Sequence, residues 1–152
     1  MNALLLALIV LPALAGGAPQ HQPTAALAAD GLYAVGEEES QTPAEIFALV
    51  ERSIQGSDLA SITKSFGRQV YVSLKGGENG YFSANQASYI LQSFFNGRRL
   101  VNFSFSTIQQ DGEPFATGSG VFLTKGTRET LQVYVAVARQ GSRWVISQFN
   151  VY

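Results

Sequence analysis

The stretch YFSANQASYILQSFF, Tyr81 to Phe95, changes character in its middle. Tyr81 to Ser83 alternates like the end of a strand. Ser83 followed three residues later by Gln86 is a capping box, the signature of a helix start. From there Ala87, Ile90, Leu91, Phe94 and Phe95 recur at spacings of three and four, which places them on one face of a helix. Gly97 stops it. Each large side chain on that face gains roughly 1.5–3 kcal/mol when buried, so the helix needs a broad apolar surface to lie on. The rest of the chain must supply that surface.

Downstream, four segments read as strands: LVNFSFSTIQ, FATGSGVFLTK, ETLQVYVAVAR and RWVISQFNVY. The links QDGEP, KGTR and QGS are short and rich in turn residues, so neighbouring strands run antiparallel. Alternation suggests facing sets. Val101, Phe103 and Phe105 are expected opposite Leu123, Val121 and Ser119, with Leu131, Val133 and Val135 completing an apolar inner face. The last strand has two registers. One turns Trp144, Ile146 and Gln148 inward, and a slip of one residue chooses Val145, Ser147 and Phe149. Gly118 and Gly120 point to strong bending or a bulge.

Upstream, TPAEIFALVERSIQGSD opens with Thr42 as N-cap, Pro43 at the first helical position and Glu45 as the reciprocal cap partner. Ile46, Phe47, Leu49, Val50 and Ile54 form its apolar face, and Gly56 ends it. A second, shorter helix starts at Ser57 or Asp58, carries Leu59, Ile62 and Phe66 on one side, and closes at Gly67. RQVYVSLKGGENGYFS then reads as a hairpin. Its KGGENG link lacks the ending of a phosphate-binding loop and leads into no helix directly, so it is a turn.

The amino-terminal residues are of another kind. The apolar run from Ala3 to Ala15 is shorter than the roughly 20 residues that a membrane-spanning helix needs. It fits a secretory signal peptide over residues 1–15, with Ala13-Leu14-Ala15 as the cleavage pattern. Residues 16–41, rich in Ala, Gly, Pro and Gln and carrying Glu37-Glu38-Glu39, read as a flexible leader. The domain then spans 42–152. The expected location is exported, periplasmic or extracellular, with no stable membrane span once the signal is removed. The chain has no cysteine, hence no disulfide and no lipidated cysteine anchor.

Composition narrows the function classes. Charged residues are 14%, well below the usual quarter. From residue 42 onward ten basic residues against seven acids leave +3, and the basic residues are scattered. That is no nucleic-acid footprint. Arg98-Arg99 reads as a solvated helix end. The one histidine, His21, lies in the leader, so no Ser-His-acid set and no zinc site can be assembled in the domain. Asn102-Phe103-Ser104 matches a glycosylation acceptor but sits on a strand.

The order helix, helix, hairpin, helix and four strands resembles the nuclear transport factor 2-like superfamily over residues 43–152. The segments that carry the resemblance are ERSIQGSDLASITKSF, YFSANQASYILQSFF and the terminal GSRWVISQFNVY. Within that superfamily the chain is most similar to small secreted bacterial domains of unknown function that carry a YS-x-x-QA-x-x-IL-x-x-FF-like helix. Here Phe82 stands between Tyr81 and Ser83, a departure at the start of that pattern. The resemblance implies an α+β cone, a curved antiparallel sheet packed around three helices, and it implies no cofactor.

Enzymes of the superfamily, ketosteroid-isomerase-like and polyketide-cyclase-like, work through an acid or base inside the cone, where burial raises a carboxyl pKa. Here Glu45 belongs to a cap, Glu78, Asp111 and Glu113 fall in turns, and Glu129 has inward parity at a strand end. Glu51 and Asp58 are the remaining carboxylates for an enzyme acting on a small apolar substrate, and neither stands among apolar neighbours. The expectation is a noncatalytic domain that binds a small ligand or an envelope protein. Thr107, Thr117, Ser119 and Gln148 are the candidate ligand-orienting residues inside the cone, with no metal ligands. A homodimer through the outer sheet face, built from Phe122, Tyr134, Ala136 and either Trp144 or Phe149, is the assembly expectation.

Overall fold

The computed structural model describes residues 39–152. The expected signal peptide, residues 1–15, and residues 16–38 of the expected leader lie outside the described residues. Helix α1 (Pro43–Gln55) starts with Thr42 at the N-cap: its side chain accepts from the Glu45 N–H, and the Glu45 carboxylate accepts from the Thr42 N–H at 2.7 Å. These bonds, the backbone one first, hold the Glu45 carboxyl below its ordinary value. Ile46, Phe47, Val50 and Ile54 are buried. A 3-10 helix (Leu59–Ser65) follows. Strand β1 (Phe66–Leu74) and strand β2 (Asn79–Ser83) form the hairpin. Helix α2 (Ala84–Asn96) carries the second capping box, Ser83 with Gln86, and buries Ala87, Leu91 and Phe95. Ile90 and Phe94 pack against the same core. Strands β3 (Arg98–Gln109), β4 (Phe115–Thr124), β5 (Thr127–Gln140) and β6 (Arg143–Val151) complete the chain.

The six strands form one sheet in the order β2-β1-β6-β5-β4-β3. It is curved and unclosed, with the helices on one face, which is the α+β cone expected from the sequence. One pair departs from the antiparallel pattern: β1 and β6 are parallel. A hairpin link forces its strands antiparallel, but α2 and four strands separate β1 from β6 and leave their direction free. Gly67 does not close a helix. It already lies in β1, where an added Cβ would press on Val145 and on the Gln69 carbonyl oxygen.

Three registers differ from the sequence expectation: slips in β3 set Phe103 and Phe105 opposite Gly120 and Gly118 rather than Val121 and Ser119 and leave Val101 exposed, and the other two have a local cause. The β4–β5 connection is a two-residue turn, Lys125-Gly126, with φ of 49° and 82°. Both residues sit in the left-handed region, as a type I′ hairpin requires. Leu131 therefore faces Gly120, and Val133 faces Gly118. Since Leu131, Val133 and Val135 are in the core, the inner face of β4 is Ala116, Gly118, Gly120 and Phe122. Val121 and Ser119 point away from the helices. On β6, a bulge at Ser147 switches the face of the strand partway along. Ile146 is buried before it, and Phe149 and Val151 after it, so each of the two expected registers holds for half the strand.

Strand β3 coils tightly over β4. It slips register between Leu100 and Asn102 and again between Phe105 and Thr107. A Cβ on Gly118 would collide with the Ser104 carbonyl oxygen and come within 2.7 Å of the Phe105 Cα. Only a residue with no side chain permits that approach.

Candidate functional site

Large apolar side chains pack the interior of the described residues. Phe47, Phe122, Phe149, Ile46, Ile62 and Leu91 are among the largest fully buried side chains. Aromatic pairs tie the elements together: Phe47 meets Phe105 and Phe95 meets Phe122, with ring centroids 6.4 and 5.6 Å apart. No acid stands within this packing as a free group. Glu51 reaches β3, where its Oε2 accepts from the Phe105 N–H at 2.8 Å. One turn further along α1, Gln55 donates to the Phe103 carbonyl at 3.0 Å. The two side chains satisfy backbone groups on the free edge of β3, next to its bulge, which otherwise would stand unpaired. Glu129 lies on the helix side of the sheet end, bonded by Thr124 Oγ1 at 3.1 Å and flanked by Lys75 at 3.4 Å and Arg98 at 3.5 Å. Burial opposes its charge, but Thr124, Lys75 and Arg98 together outweigh that cost and hold its carboxyl below the ordinary value.

The four sequence-predicted ligand residues lie elsewhere than expected. Thr117, Ser119 and Gln148 sit on the sheet face away from the helices, and Thr107 pairs with Thr117 at the exposed end of β3. The turn at Lys125-Gly126 turns Thr117 and Ser119 outward, the slip of β3 between Phe105 and Thr107 does so for Thr107, and the bulge at Ser147 for Gln148. They share that face with aromatic residues. One cross-strand row runs Tyr81, Tyr71, Gln148, Ala136, Phe115, and the next runs Ser73, Asn150, Tyr134, Thr117, Thr107. Phe115 stacks on Tyr134 at 5.6 Å. Asn150 is 3% exposed, donates to the Tyr152 hydroxyl, and leaves its Oδ1 without a partner among the described residues. Of the residues expected on this face, Tyr134 and Ala136 are there. Phe122 and Phe149 belong to the core, and Trp144 packs against it under the Arg139 guanidinium.

Two open concavities carry polar groups on their walls: one of about 540 Å³ at the start of α1, lined by Glu39, Thr42, Glu45 and Arg52 among others, and a groove of about 690 Å³ between the 3-10 helix, the second half of α2 and the start of β3. That size lies in the range of ligand pockets, ~300–1,000 Å³. Tyr89, Gln92, Ser93 and Asn96 form one wall, at spacings that put them on a single face of α2 opposite its core stripe. Ser57 and Asp58 form the other, and Arg98, Arg99 and Leu123 close the end. Asp58, expected at a helix start, stands at the N-cap of the 3-10 helix. Its side chain makes no cap bond, and it is exposed.

Partly buried hydroxyls brace the walls. Gln92 donates to Ser88 Oγ at 2.9 Å, Ser88 lies 2.6 Å from Thr63 Oγ1, and Thr63 donates to the Ala60 carbonyl at 2.7 Å. With Ser88 as donor to Thr63, every hydrogen in that chain is used once, and it locks α2 to the 3-10 helix. On the other side Ser53 and Ser61 meet at 2.6 Å, and Ser61 reaches the Asp58 carbonyl at 2.8 Å. Arg98 is held from three directions: Nη1 donates to the Phe94 carbonyl, the guanidinium lies 3.7 Å over the Phe94 ring, and Glu129 sits beside it. The sequence reading of Arg98-Arg99 as a solvated helix end therefore fits Arg99, which is exposed, and not Arg98. Among the described residues no cluster of three or more His, Cys, Asp or Glu is placed to hold a metal ion.

A family model for a domain of unknown function, DUF4783, matches residues 47–151. The chain belongs to the DUF4783 family. Solved DUF4783 structures from Bacteroides fragilis and Bacteroides uniformis each share 14% identity with it. They align over 67% of this chain and 92% and 91% of their own, with TM-scores of 0.58 and 0.59. A ketosteroid isomerase-like protein from Erwinia carotovora atroseptica matches at 10% identity over 76% of this chain and 95% of its own, with a TM-score of 0.58. At these identities the likeness is one of fold, and the fold is nuclear transport factor 2-like. No curated protein matches the chain.

Proposed function

We propose that this DUF4783 domain is exported and works by binding rather than by catalysis, taking a small polar ligand in the groove between α2 and the 3-10 helix. What carries the reading is the division of labour among the polar groups. The side chains facing the core are apolar and close-packed, and Glu51 and Glu129 are engaged in bonds that hold the fold. The groups left free on braced walls are Tyr89, Ser93, Asn96, Asp58 and Arg99. A binding site needs such preformed, convergent polar groups. The apolar run Ala3–Ala15 with its Ala13-Leu14-Ala15 pattern supports export. No helix among the described residues is long and apolar enough to cross a membrane.

Shift mapping of the ¹⁵N-labelled chain against a mixture of small polar fragments tests the groove. Amides of α2 from Tyr89 to Asn96 and of Asp58 are expected to move together. A screen in which only core or outer-face amides respond refutes the assignment.

A second copy docking on the outer sheet face is the other reading, favoured by the aromatic residues that face carries, Tyr81 and Tyr71 with the stacked Phe115 and Tyr134 beside them. A strict monomer in sedimentation at high micromolar concentration would remove it.

A further inference from the structure

We propose that the groove takes a neutral, hydroxyl-rich ligand, the end of a saccharide chain. This rests on the groove being the binding site and names its ligand class. The argument is by chemistry. Arg98 is engaged by the Phe94 carbonyl and ring, and its buried Nε, though without a hydrogen bond, lies 3.5 Å from the Glu129 carboxylate that offsets its charge, so it has little charge to offer a ligand. The two charges left free are Asp58 and Arg99, one of each sign. A groove with balanced charge selects neither anions nor cations, which sets aside a phosphate or nucleic-acid ligand. A single carboxylate is also no metal site.

What remains is a set of short hydrogen-bonding groups of both senses. Ser93 offers a hydroxyl, and Asn96 both an amide donor and an amide acceptor. Gln92 spends one donor on Ser88 and keeps its acceptor oxygen. Asp58 accepts, and Arg99 donates. A ligand that matches them must present many donors and acceptors at close spacing without charge, and sugar hydroxyls do so. Beside them Tyr89, 74% exposed, presents an open ring face. An aromatic that exposed gains nothing for the core, yet it supplies a flat apolar surface with a polar tip. A pyranose has the complementary shape: one C–H face that stacks on such a ring, and a rim of hydroxyls. The hydroxyl chain from Gln92 through Ser88 and Thr63 holds the groove in one geometry before any ligand arrives, which lowers the cost of ordering it on binding.

The test is shift mapping of the full ¹⁵N-labelled chain with N,N′-diacetylchitobiose and maltotriose at millimolar concentration, with tri-alanine and glucose 6-phosphate as contrasts. The expected result is movement of the Gln92 and Asn96 side-chain amides and the Tyr89–Asn96 backbone with at least one neutral sugar. Added salt should leave that affinity within about twofold, since no net charge is neutralised. Tyr89→Ala should weaken it about tenfold, the size of a lost aromatic contact, while melting unchanged. Asn96→Ala serves as a second exposed variant with a smaller loss. If tri-alanine or the phosphorylated sugar moves the groove and neutral sugars do not, the saccharide class falls and the binding site stands. If no probe or fragment moves the groove, both fall. Binding that weakens steeply with salt overturns the neutral class.

Discussion

Replacing Gly118 with alanine should be among the most damaging single-methyl additions in this domain. The added Cβ would collide with the Ser104 carbonyl oxygen and lie 2.7 Å from the Phe105 Cα, and both obstacles are backbone. A side chain can rotate away, whereas the β3 backbone can move only by lifting off β4. Overpacking of this kind costs about 1–3 kcal/mol. Disturbing one or two ladder hydrogen bonds adds ~0.5–1.5 kcal/mol each. The reduced freedom of the unfolded chain returns ~0.4–1 kcal/mol. The net is about 3 kcal/mol, or roughly a 10–15 °C drop in Tm for a domain of this size. Gly97→Ala is the internal control. Its φ is −86° and an added Cβ meets nothing within 4 Å, so its Tm should hold or rise slightly. Far-UV circular dichroism melts of the two variants beside the parent decide the matter. A Gly118→Ala protein melting within ~2 °C of the parent would show that β3 does not cross β4 at Ser104, and the inward assignment of Gly118 would fall with it.

Two other outcomes follow from the polar groups that hold the sheet edge and its end. Glu51→Ala should cost about 1–3 kcal/mol in urea unfolding, because the Phe105 N–H loses its acceptor in a half-buried place; Glu51→Gln keeps an acceptor and should recover most of that, and equal losses for the two would show that the bond is not made. Glu129 is held below its ordinary value of 4.5 in the folded protein, so its contribution is present above the unfolded pKa and is lost as pH falls through the lower, folded one. The melting temperature should therefore decline below about pH 4.5, and Glu129→Gln should flatten part of that decline while lowering stability at pH 7; an unchanged acid limb refutes it.

Most of the fold could be read from local patterns, because local patterns produced it. The two capping boxes, Thr42 with Glu45 and Ser83 with Gln86, fix where each α-helix begins, and both form as the spacing requires. The stripe from Ala87 to Phe95 lies on the core. The failures cluster where one residue decides a whole strand. Type I′ turns favour Asn, Asp or Gly at their first position. Lys125 occupies that position here at φ 49°, so KGTR reads as a longer link, and the error turns β4 over. Because the strand period is two, that single slip moved Phe122 from core to surface in the reading, and Thr117 and Ser119 from surface to core. The Ser147 bulge has no sequence signal of its own. Both halves of β6 alternate acceptably, and only packing against β1 and β5 selects where the face switches.

The groove was harder to see for a reason that is not a matter of register. Tyr89, Gln92, Ser93 and Asn96 obey the same three-and-four spacing as the core stripe of α2, and a polar stripe of that kind is what any surface helix shows. What distinguishes a wet face from a wall is the presence of something opposite. Here that is Asp58, carried by a 3-10 helix whose approach depends on the partly buried contacts of Ser53 with Ser61 and of Thr63 with Ser88. Those contacts join residues 8 and 25 positions apart through hydroxyls that no periodicity marks. Serine and threonine on a helix ordinarily satisfy their own turn, so the sequence offers no reason to expect them to bridge two helices. The one signal was an aromatic, Tyr89, on the solvent side of an otherwise polar stripe. Tyr81 is nearly as exposed, so size and exposure alone mark nothing; what sets Tyr89 apart, and what the proposed reading of the groove starts from, is its place on a wall that faces Asp58.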